Sequence, residues 1–267
     1  MKYTWGAMHS PTLFITEDGS PTLVHPITGE SYHSIHGALR ESRHVYLHAG
    51  TLSYLDNGYD MEGNLGAPAP QKHSCSAEPS KKVEKLRILE VGFGSGLNAV
   101  LTILALANQN QAFSYDALEP FPISMPCAQD YMRGCGDLFE STHHQDLFMR
   151  LHAAKMGEPT QVEHESLDHV FCKHLCDLGH FETNHPFEVI YMDAFSPSSQ
   201  PELWEPPILQ KLARMLSPGG YLVTYCAKGS VRRGLLAAGL EIERLPGPPG
   251  KREMLRARKP LLLFEGL

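Results

Sequence analysis

Fifteen residues, Leu86 to Val100 (LRILEVGFGSGLNAV), constrain the fold more than any other stretch of the chain. An apolar run of strand type enters Gly92-x-Gly94-x-Gly96 and leaves as a helical pattern, so strand, tight turn and helix follow without a spacer. Glycines there let the backbone turn sharply and approach a ligand where a Cβ would clash, and the next helix offers its first N–H groups to polar atoms. Alone, such a loop is weak evidence. Its weight comes from the run FSYDALE, which ends at Glu119, about 20 residues on, where nucleotide-cofactor folds carry a ribose-binding carboxylate.

Around this loop the chain alternates. Strands are predicted at 86–91, 113–118, near 160–164, at 187–192 and at 220–226. Helices are predicted at 97–108, 124–133, near 142–155, at 166–176, 203–216 and 230–238, and runs near 240–245 and 261–264 suit a closing pair of strands. That order means an α/β fold with a mostly parallel sheet, whose ligands collect at the carboxyl ends of the strands. Gly92, Glu119 and Asp193 all fall at such ends.

Upstream, TLFITEDGSPTLVHP reads as a hairpin, and Ser34 as the cap of a helix through about His48. Residues 56–80 are rich in Gly, Pro, Ala and Ser without an apolar period, which fits a passive loop or a flap that orders on substrate. The expected organisation is therefore an extension over 1–55, a flexible insert or linker over 56–85, and a main domain over 86–267.

No run approaches the roughly 20 apolar residues of a membrane span, and the N-terminus lacks a signal-peptide pattern, so the chain is expected to be cytoplasmic with no membrane partner. Six scattered cysteines in 267 residues predict thiols, not a disulfide framework. The net charge of −7 argues at first against nucleic acid, but residues 228–259 hold nine basic side chains against three acids, a net +6 on a remainder of −13. A basic patch on an acidic body suits a polyanionic substrate, and a merely solvated face is the alternative.

The glycine spacing discriminates among cofactors. Dinucleotide folds use Gly-x-Gly-x-x-Gly, whereas position 97 here is Leu97 and the third glycine comes one residue early. Glu90-x-Gly92-x-Gly94-x-Gly96 instead resembles the first motif of class I S-adenosylmethionine-dependent methyltransferases, in which Glu90 would meet the methionine amino group. The turn Pro218-Gly219-Gly220 resembles the same superfamily's approach to a later strand.

Strand 187–192 ends in Asp193-Ala194-Phe195-Ser196-Pro197, followed by Pro201-Glu202-Leu203-Trp204. A carboxylate, aromatic rings and a constrained turn at a crevice can orient an amine and hold a planar base, although Phe195 and Trp204 could equally be core residues. These segments, with His44-Val45-Tyr46-Leu47, Glu90 to Asn98, Glu119-Pro120-Phe121-Pro122, Val231-Arg232-Arg233-Gly234 and Gly250-Lys251-Arg252-Glu253, resemble the methyltransferase domain of the bifunctional tRNA 5-methylaminomethyl-2-thiouridine biosynthesis protein MnmC and its stand-alone relatives. Ala194 and Ser196 depart from that family's Asp-Gly-Phe-Ala-Pro version.

The resemblance implies a Rossmann-like class I fold, a mostly parallel seven-stranded sheet with helices on both faces. It implies methyl transfer from S-adenosyl-L-methionine to the amine of 5-aminomethyl-2-thiouridine at wobble position 34, with tRNA contacted around the anticodon. Family members also carry an FAD-dependent oxidase, for which this chain shows no counterpart, so upstream modification enzymes would supply the aminomethyl precursor. Glu90, Gly92, Gly94, Gly96, Asn98, Glu119, Pro120, Phe121, Glu165 and Asp193 are the expected cofactor contacts. Phe195, Pro197 and Trp204 are expected at the base, and Arg232, Arg233, Lys251 and Arg252 at RNA phosphates, with packing or internal ion pairs as the alternative.

Asp193 is the expected catalytic residue. At an ordinary pKa near 3.9 it is too weak a base for an alkyl amine, so the sequence assigns it to orienting the amine. His164, His169, Cys172, His174, Cys176, His180 and His185 crowd one stretch, with Cys172 and Cys176 on one face of the expected helix, but without zinc-type pair spacing no metal is expected. Rival readings are a polyamine-synthase-like aminopropyl transferase, a silent RNA-binding module and, least supported by the glycine spacing, a nicotinamide oxidoreductase.

Overall fold

A computed structural model describes residues 10–56, 85–162 and 168–261 of the 267. The N-terminal hairpin forms as expected, β1 (Thr12–Ile15) pairing antiparallel with β2 (Pro21–Val24). The helix after it differs from expectation. Ser34 closes a turn instead of capping, accepting from His36 N at 3.2 Å, and Gly37 at φ +143° separates that turn from the helix. One helical run then comprises α1 (Ala38–Glu41), a π-helix (Ser42–Leu52) and α2 (Ser53–Asp56).

This run passes Gly50, a residue that reads as a terminator, because glycine lets it lie against the sheet. A Cβ there would sit 3.0 Å from both Tyr191 Cε1 and Val223 Cγ2. The run is also strapped at its other side, where Arg256 donates to Ala49 O at 3.2 Å and His44 bonds Pro246 O at 2.8 Å.

The main sheet contains β3 (Leu86–Val91), β4 (Phe113–Leu118), β5 (Thr160–Gln161), β6 (His169–His174), β7 (Phe187–Met192), β8 (Leu216–Thr224), β9 (Glu241–Pro246) and β10 (Glu253–Arg258). Their order is β5-β6-β4-β3-β7-β8-β10-β9. The five strands from β6 to β8 are parallel, β10 and β9 add an antiparallel edge, and two-residue β5 makes an eighth strand where seven were expected. Helices cover both faces: α3 (Leu97–Asn108), α4 (Met125–Gly134) and α5 (Thr142–Ala153) on the face of Ile88, Tyr115 and Tyr191, α6 (Pro206–Met215) and α7 (Gly229–Ala237) on that of Leu89, Ile190 and Leu222. The alternation of Ile88 and Leu89 between two cores is the period of two expected of a strand buried on both faces.

The expected helix over 166–176 is instead β6. Its six residues pair with β4 in continuous register, Asp116 opposite Cys172, and a short run too brief to fill a helical face is decided by that pairing. Cys172 and Cys176 therefore share no helix face. The expected helix over 203–216 divides into a 3₁₀ turn (Pro201–Trp204) and α6, because Pro206 and Pro207 cannot continue a preceding helix but suit the first turn of a new one. The closing strand expected near 261–264 is β10 at 253–258; residues 262–267 and the expected contact Glu165 lie outside the described residues. The extension has no separate core: Leu23, Ala38 and Val45 belong to the same buried cluster as Ile88 and Tyr191. Among the described residues no helix is long and apolar enough to cross a membrane, and the five described cysteines are free thiols.

Candidate active site

Because β3 lies between β4 and β7, the loops after these strands meet at one carboxyl edge of the sheet, bringing Gly92, Glu119 and Asp193 together. A cleft opens there, lined by glycine-loop, strand-end and extension residues. Gly94, Pro120, Phe121 and Phe195 line it too, and the N-terminal extension contributes His25, Tyr32 and His33.

The three glycines all take left-handed φ values of +94°, +50° and +77°. Their close neighbours, however, are protein atoms. A Cβ on Gly92 would stand 2.5 Å from Asp193 O, and one on Gly96 would stand 2.9 Å from the Phe93 ring and 3.0 Å from His152. Gly96 does not line the cleft; it lets α3 start close under Phe93. At Gly92, which lines the cleft, and at Gly96, which does not, the missing Cβ also lets one protein segment approach another.

Glu119 is buried at the cleft wall. Its Oε2 accepts from Gly94 N at 2.7 Å and its Oε1 from Phe121 N at 2.8 Å. Burial raises its pKa, opposed by those two N–H groups and by the Lys173 charge. Lys173, itself buried, donates to the last-turn carbonyls Leu151 O and His152 O of α5, where a cation meets the helix dipole favourably.

Asp193 accepts from Tyr46 Oη at 2.5 Å and from Asn98 Nδ2 at 2.7 Å. Burial pushes its carboxyl up to about 7, with the Glu41 charge adding to the rise and the two donors and Lys251 opposing it. The premise that this group keeps an ordinary pKa is therefore overturned: a carboxyl near 7 is matched to proton transfer at neutral pH. Beneath it, Asn98 Nδ2 also donates to Glu90 Oε1 at 3.0 Å, and Tyr115 donates to Glu90 Oε2 at 2.9 Å. Glu90 has no exposed surface and does not line the cleft; burial and the nearby Asp193 charge hold it well above the usual carboxylate range.

Phe195 meets the rings of His25 and Tyr32 edge-on at 5.2 Å. Trp204 is a core residue whose Nε1 donates to Phe195 O at 2.8 Å, so it fixes the loop from below, and neither Trp204 nor Pro197 lines the cleft. Arg233 and Arg252 are exposed and Arg232 half-buried. Lys251 has a different role from the one expected: its Nζ pairs with Glu41 and lies 3.8 Å from the centre of the Tyr225 ring. Of the crowded histidines and cysteines, Cys172 and His174 come together, beside Asp116, with His174 Nε2 2.7 Å from Asp116 Oδ1. His33 and Tyr225 carry no spacing signal, and Tyr46, though part of the segment His44-Val45-Tyr46-Leu47, gives no sign in the sequence of its bond to Asp193; all three reach the site through the fold.

Residues 142–260 match the profile of a family described as S-adenosyl-L-methionine-dependent methyltransferase. The chain is 31% identical over 254 residues to the tRNA 5-methylaminomethyl-2-thiouridine biosynthesis bifunctional protein MnmC of Cupriavidus metallidurans, covering 91% of this chain and 33% of that protein. Over nine-tenths of its length the chain is similar to the methyltransferase part of MnmC. The MnmC of Paracidovorax citrulli is 29% identical over 248 residues, covering 90% of this chain and 34% of the relative. The chain therefore spans about a third of the length of these bifunctional proteins. The fold is that of the crystal structure of MNMC2 from Aquifex aeolicus, with a TM-score of 0.65 at 24% identity over 96% of this chain and 73% of that one. The cofactor is S-adenosyl-L-methionine, on which the family matched over residues 142–260 depends.

Proposed function

We propose that this MnmC-like domain methylates the primary amine of 5-aminomethyl-2-thiouridine at wobble position 34 of tRNA, in the cytoplasm, giving 5-methylaminomethyl-2-thiouridine. The observation that carries this reading is Asp193, a carboxylate at the carboxyl end of β7, buried beside the glycine loop and raised to about 7. The residues present also fit the cofactor. Glu119 offers a carboxylate at the cleft wall to a ribose diol, two adjacent donors for one acceptor pair. Asn98 Oδ1 is buried with no partner among the described residues, an unused acceptor next to the loop. Gly92, Gly94, Pro120 and Phe121 form the rest of the wall, while Glu90 orients Asn98 from below.

S-adenosyl-L-methionine, when bound, supplies an electrophilic methyl group. What the protein must supply is a neutral amine in the right place. An alkyl ammonium of pKa near 10.4 costs about 5 kcal/mol to deprotonate at pH 7. Asp193, near 7, accepts that proton with a far smaller mismatch than an ordinary aspartate would have. Tyr46 and Asn98 hold its two oxygens in place, leaving each oxygen a second lone pair. Phe195 and Tyr32 offer ring surface to the uracil base. Arg232, Arg233 and Arg252 are the candidates for RNA phosphates; Lys251 is not, since Glu41 holds it. Enzymes acting earlier on the same nucleoside would supply the aminomethyl group.

The test is to incubate the protein with methyl-labelled S-adenosylmethionine and tRNA carrying 5-aminomethyl-2-thiouridine, then identify the nucleosides by mass spectrometry. Label in 5-methylaminomethyl-2-thiouridine at position 34 is the expected result. Cofactor binding without transfer to that tRNA would overturn the substrate assignment and return aminopropyl-acceptor amines to consideration.

A further inference from the structure

His33 lines the cleft with its side chain only 5% exposed, and neither ring nitrogen has a hydrogen-bond partner among the described residues. A buried polar group left unpaired costs about 1–3 kcal/mol, and a phenyl ring would fill similar space without that cost. The backbone fixes the ring here, His33 N donating to Thr22 Oγ1 at 3.0 Å. Its Nε2 stands 4.0 Å from Asp193 Oδ2, beyond hydrogen-bond reach. That gap suits one donor atom between the two groups. An atom about 2.9 Å from both ends subtends about 90°, close to the angle between the two N–H bonds of an amine.

We propose that His33 and Asp193 form a two-acceptor clamp that recognises a primary amine and stops methylation after one transfer. The clamp rests on the amine-methylation reading above. One N–H of the neutral amine donates to Asp193 Oδ2 and the other to His33 Nε2, with the ring proton on Nδ1. The lone pair is left as the free position of the nitrogen. It forms the new N–C bond while the S–C bond breaks and its electron pair stays on sulfur; the proton lost earlier from the ammonium resides on Asp193. The product amine, once neutral, keeps a single N–H. It cannot satisfy both acceptors, and re-entry leaves His33 Nε2 buried and unpaired.

The ring is in the right state for this role. Burial pushes its pKa down to about 4, the Lys251 charge lowering it further and Glu41 opposing, so at neutral pH one nitrogen carries a free lone pair. Positioning by two acceptors also explains why the extension, which supplies His33, closes over the strand ends that supply Asp193.

The experiment compares oligonucleotides carrying the aminomethyl or the methylaminomethyl uridine, with methylation rates measured at saturating S-adenosylmethionine and products identified by mass spectrometry. Because the single N–H appears only once the amine is neutral, the wild-type protein should methylate the methylaminomethyl form at least about tenfold more slowly, the loss of one buried hydrogen bond in the reactive state, and should accumulate no dimethylated nucleoside. His33→Phe should lose that discrimination and release dimethylated product, whereas His33→Gln, whose amide oxygen can stand where Nε2 does, should retain it; cofactor affinity should be unchanged in both. Equal wild-type methylation rates on the two amines, or a folded His33→Phe protein that still stops at one methyl, overturn the clamp. If His33→Phe does not fold, the wild-type comparison alone decides. Failure of the wild-type protein to methylate even the aminomethyl form overturns the reaction itself, and the clamp with it, before any variant is needed.

Discussion

Tyr46 donates its phenolic hydrogen to Asp193 Oδ1 at 2.5 Å, joining the π-helix of the extension to the end of β7 across 147 positions of sequence. The donor stabilises the ionised carboxylate, so it lowers a pKa that burial has raised. Tyr46→Phe keeps the ring and removes the donor. The acid limb of the kcat/KM profile should move to higher pH by about one unit, the worth of a hydrogen bond to a charged group. A profile that does not move would remove Tyr46 from the control of Asp193.

Asp193→Asn keeps the shape and abolishes proton acceptance. Turnover should fall at least about 100-fold, while the affinity for S-adenosylmethionine measured by calorimetry stays within about threefold, because Asp193 acts on the amine. In the wild-type protein the rate should decline as pH falls through about 7, where Asp193 takes up its proton. Equal losses of turnover and cofactor affinity in Asp193→Asn would make it a cofactor ligand instead.

Lys251 and Arg252 are adjacent in sequence and should behave oppositely. Glu41, with a 3% exposed side chain, has Lys251 as its ion-pair partner. Lys251→Ala leaves that carboxylate buried and unpaired and should cost on the order of 3 kcal/mol, read as a lowered midpoint in urea unfolding. Arg252→Ala, on the exposed side, should leave the midpoint unchanged and reduce the salt dependence of tRNA binding by about one unit of slope.

His152 is buried against Phe93 and Phe148, its Nε2 3.0 Å from Ser95 O, so it fastens α5 to the glycine loop. Burial lowers its pKa to about 4, assisted by the Lys173 charge and opposed by the Ser95 carbonyl. A histidine at 6.5 when unfolded and about 4 when folded binds fewer protons in the native state, so its contribution is present above 6.5 and is lost as pH falls toward 4, on the order of 3 kcal/mol at most. His152→Gln should therefore show a smaller fall in Tm between pH 7 and pH 4.5 than the wild-type protein. Parallel Tm curves would exclude His152 as an acid-sensitive group.

The sequence reveals the strand–loop–helix unit almost to the residue, β3 at 86–91 and α3 at 97–108, because its apolar runs are long and glycine marks the turn between them. Glu119 and Asp193 are legible for the same reason: each is the first polar residue after a strand, and topology carries both to one edge. His33 is not legible, and Tyr46 is legible only as part of a segment that resembles the family, since neither lies on a strand end and only the folding of the extension onto the sheet brings them to Asp193. The helix expected over 166–176 fails because a six-residue run rich in His and Cys carries no decisive period, and pairing with β4 selects the strand. Lys251 illustrates the same limit in charge: its sign is visible in the sequence, but its buried partner Glu41 lies 210 positions away.

The contribution of His25, Tyr32, His33 and Tyr46 from residues before 57, opposite Gly92, Glu119 and Asp193 from the sheet, divides the chemistry between two stretches of chain. In the proposed reaction Gly92 and Glu119 face the methyl donor, the extension shapes what receives the methyl group, and Asp193 stands where the two meet. A recipient of different size or degree of substitution can thus be accommodated by rewriting one contiguous segment of about fifty residues, while the apparatus that handles the donor stays as it is.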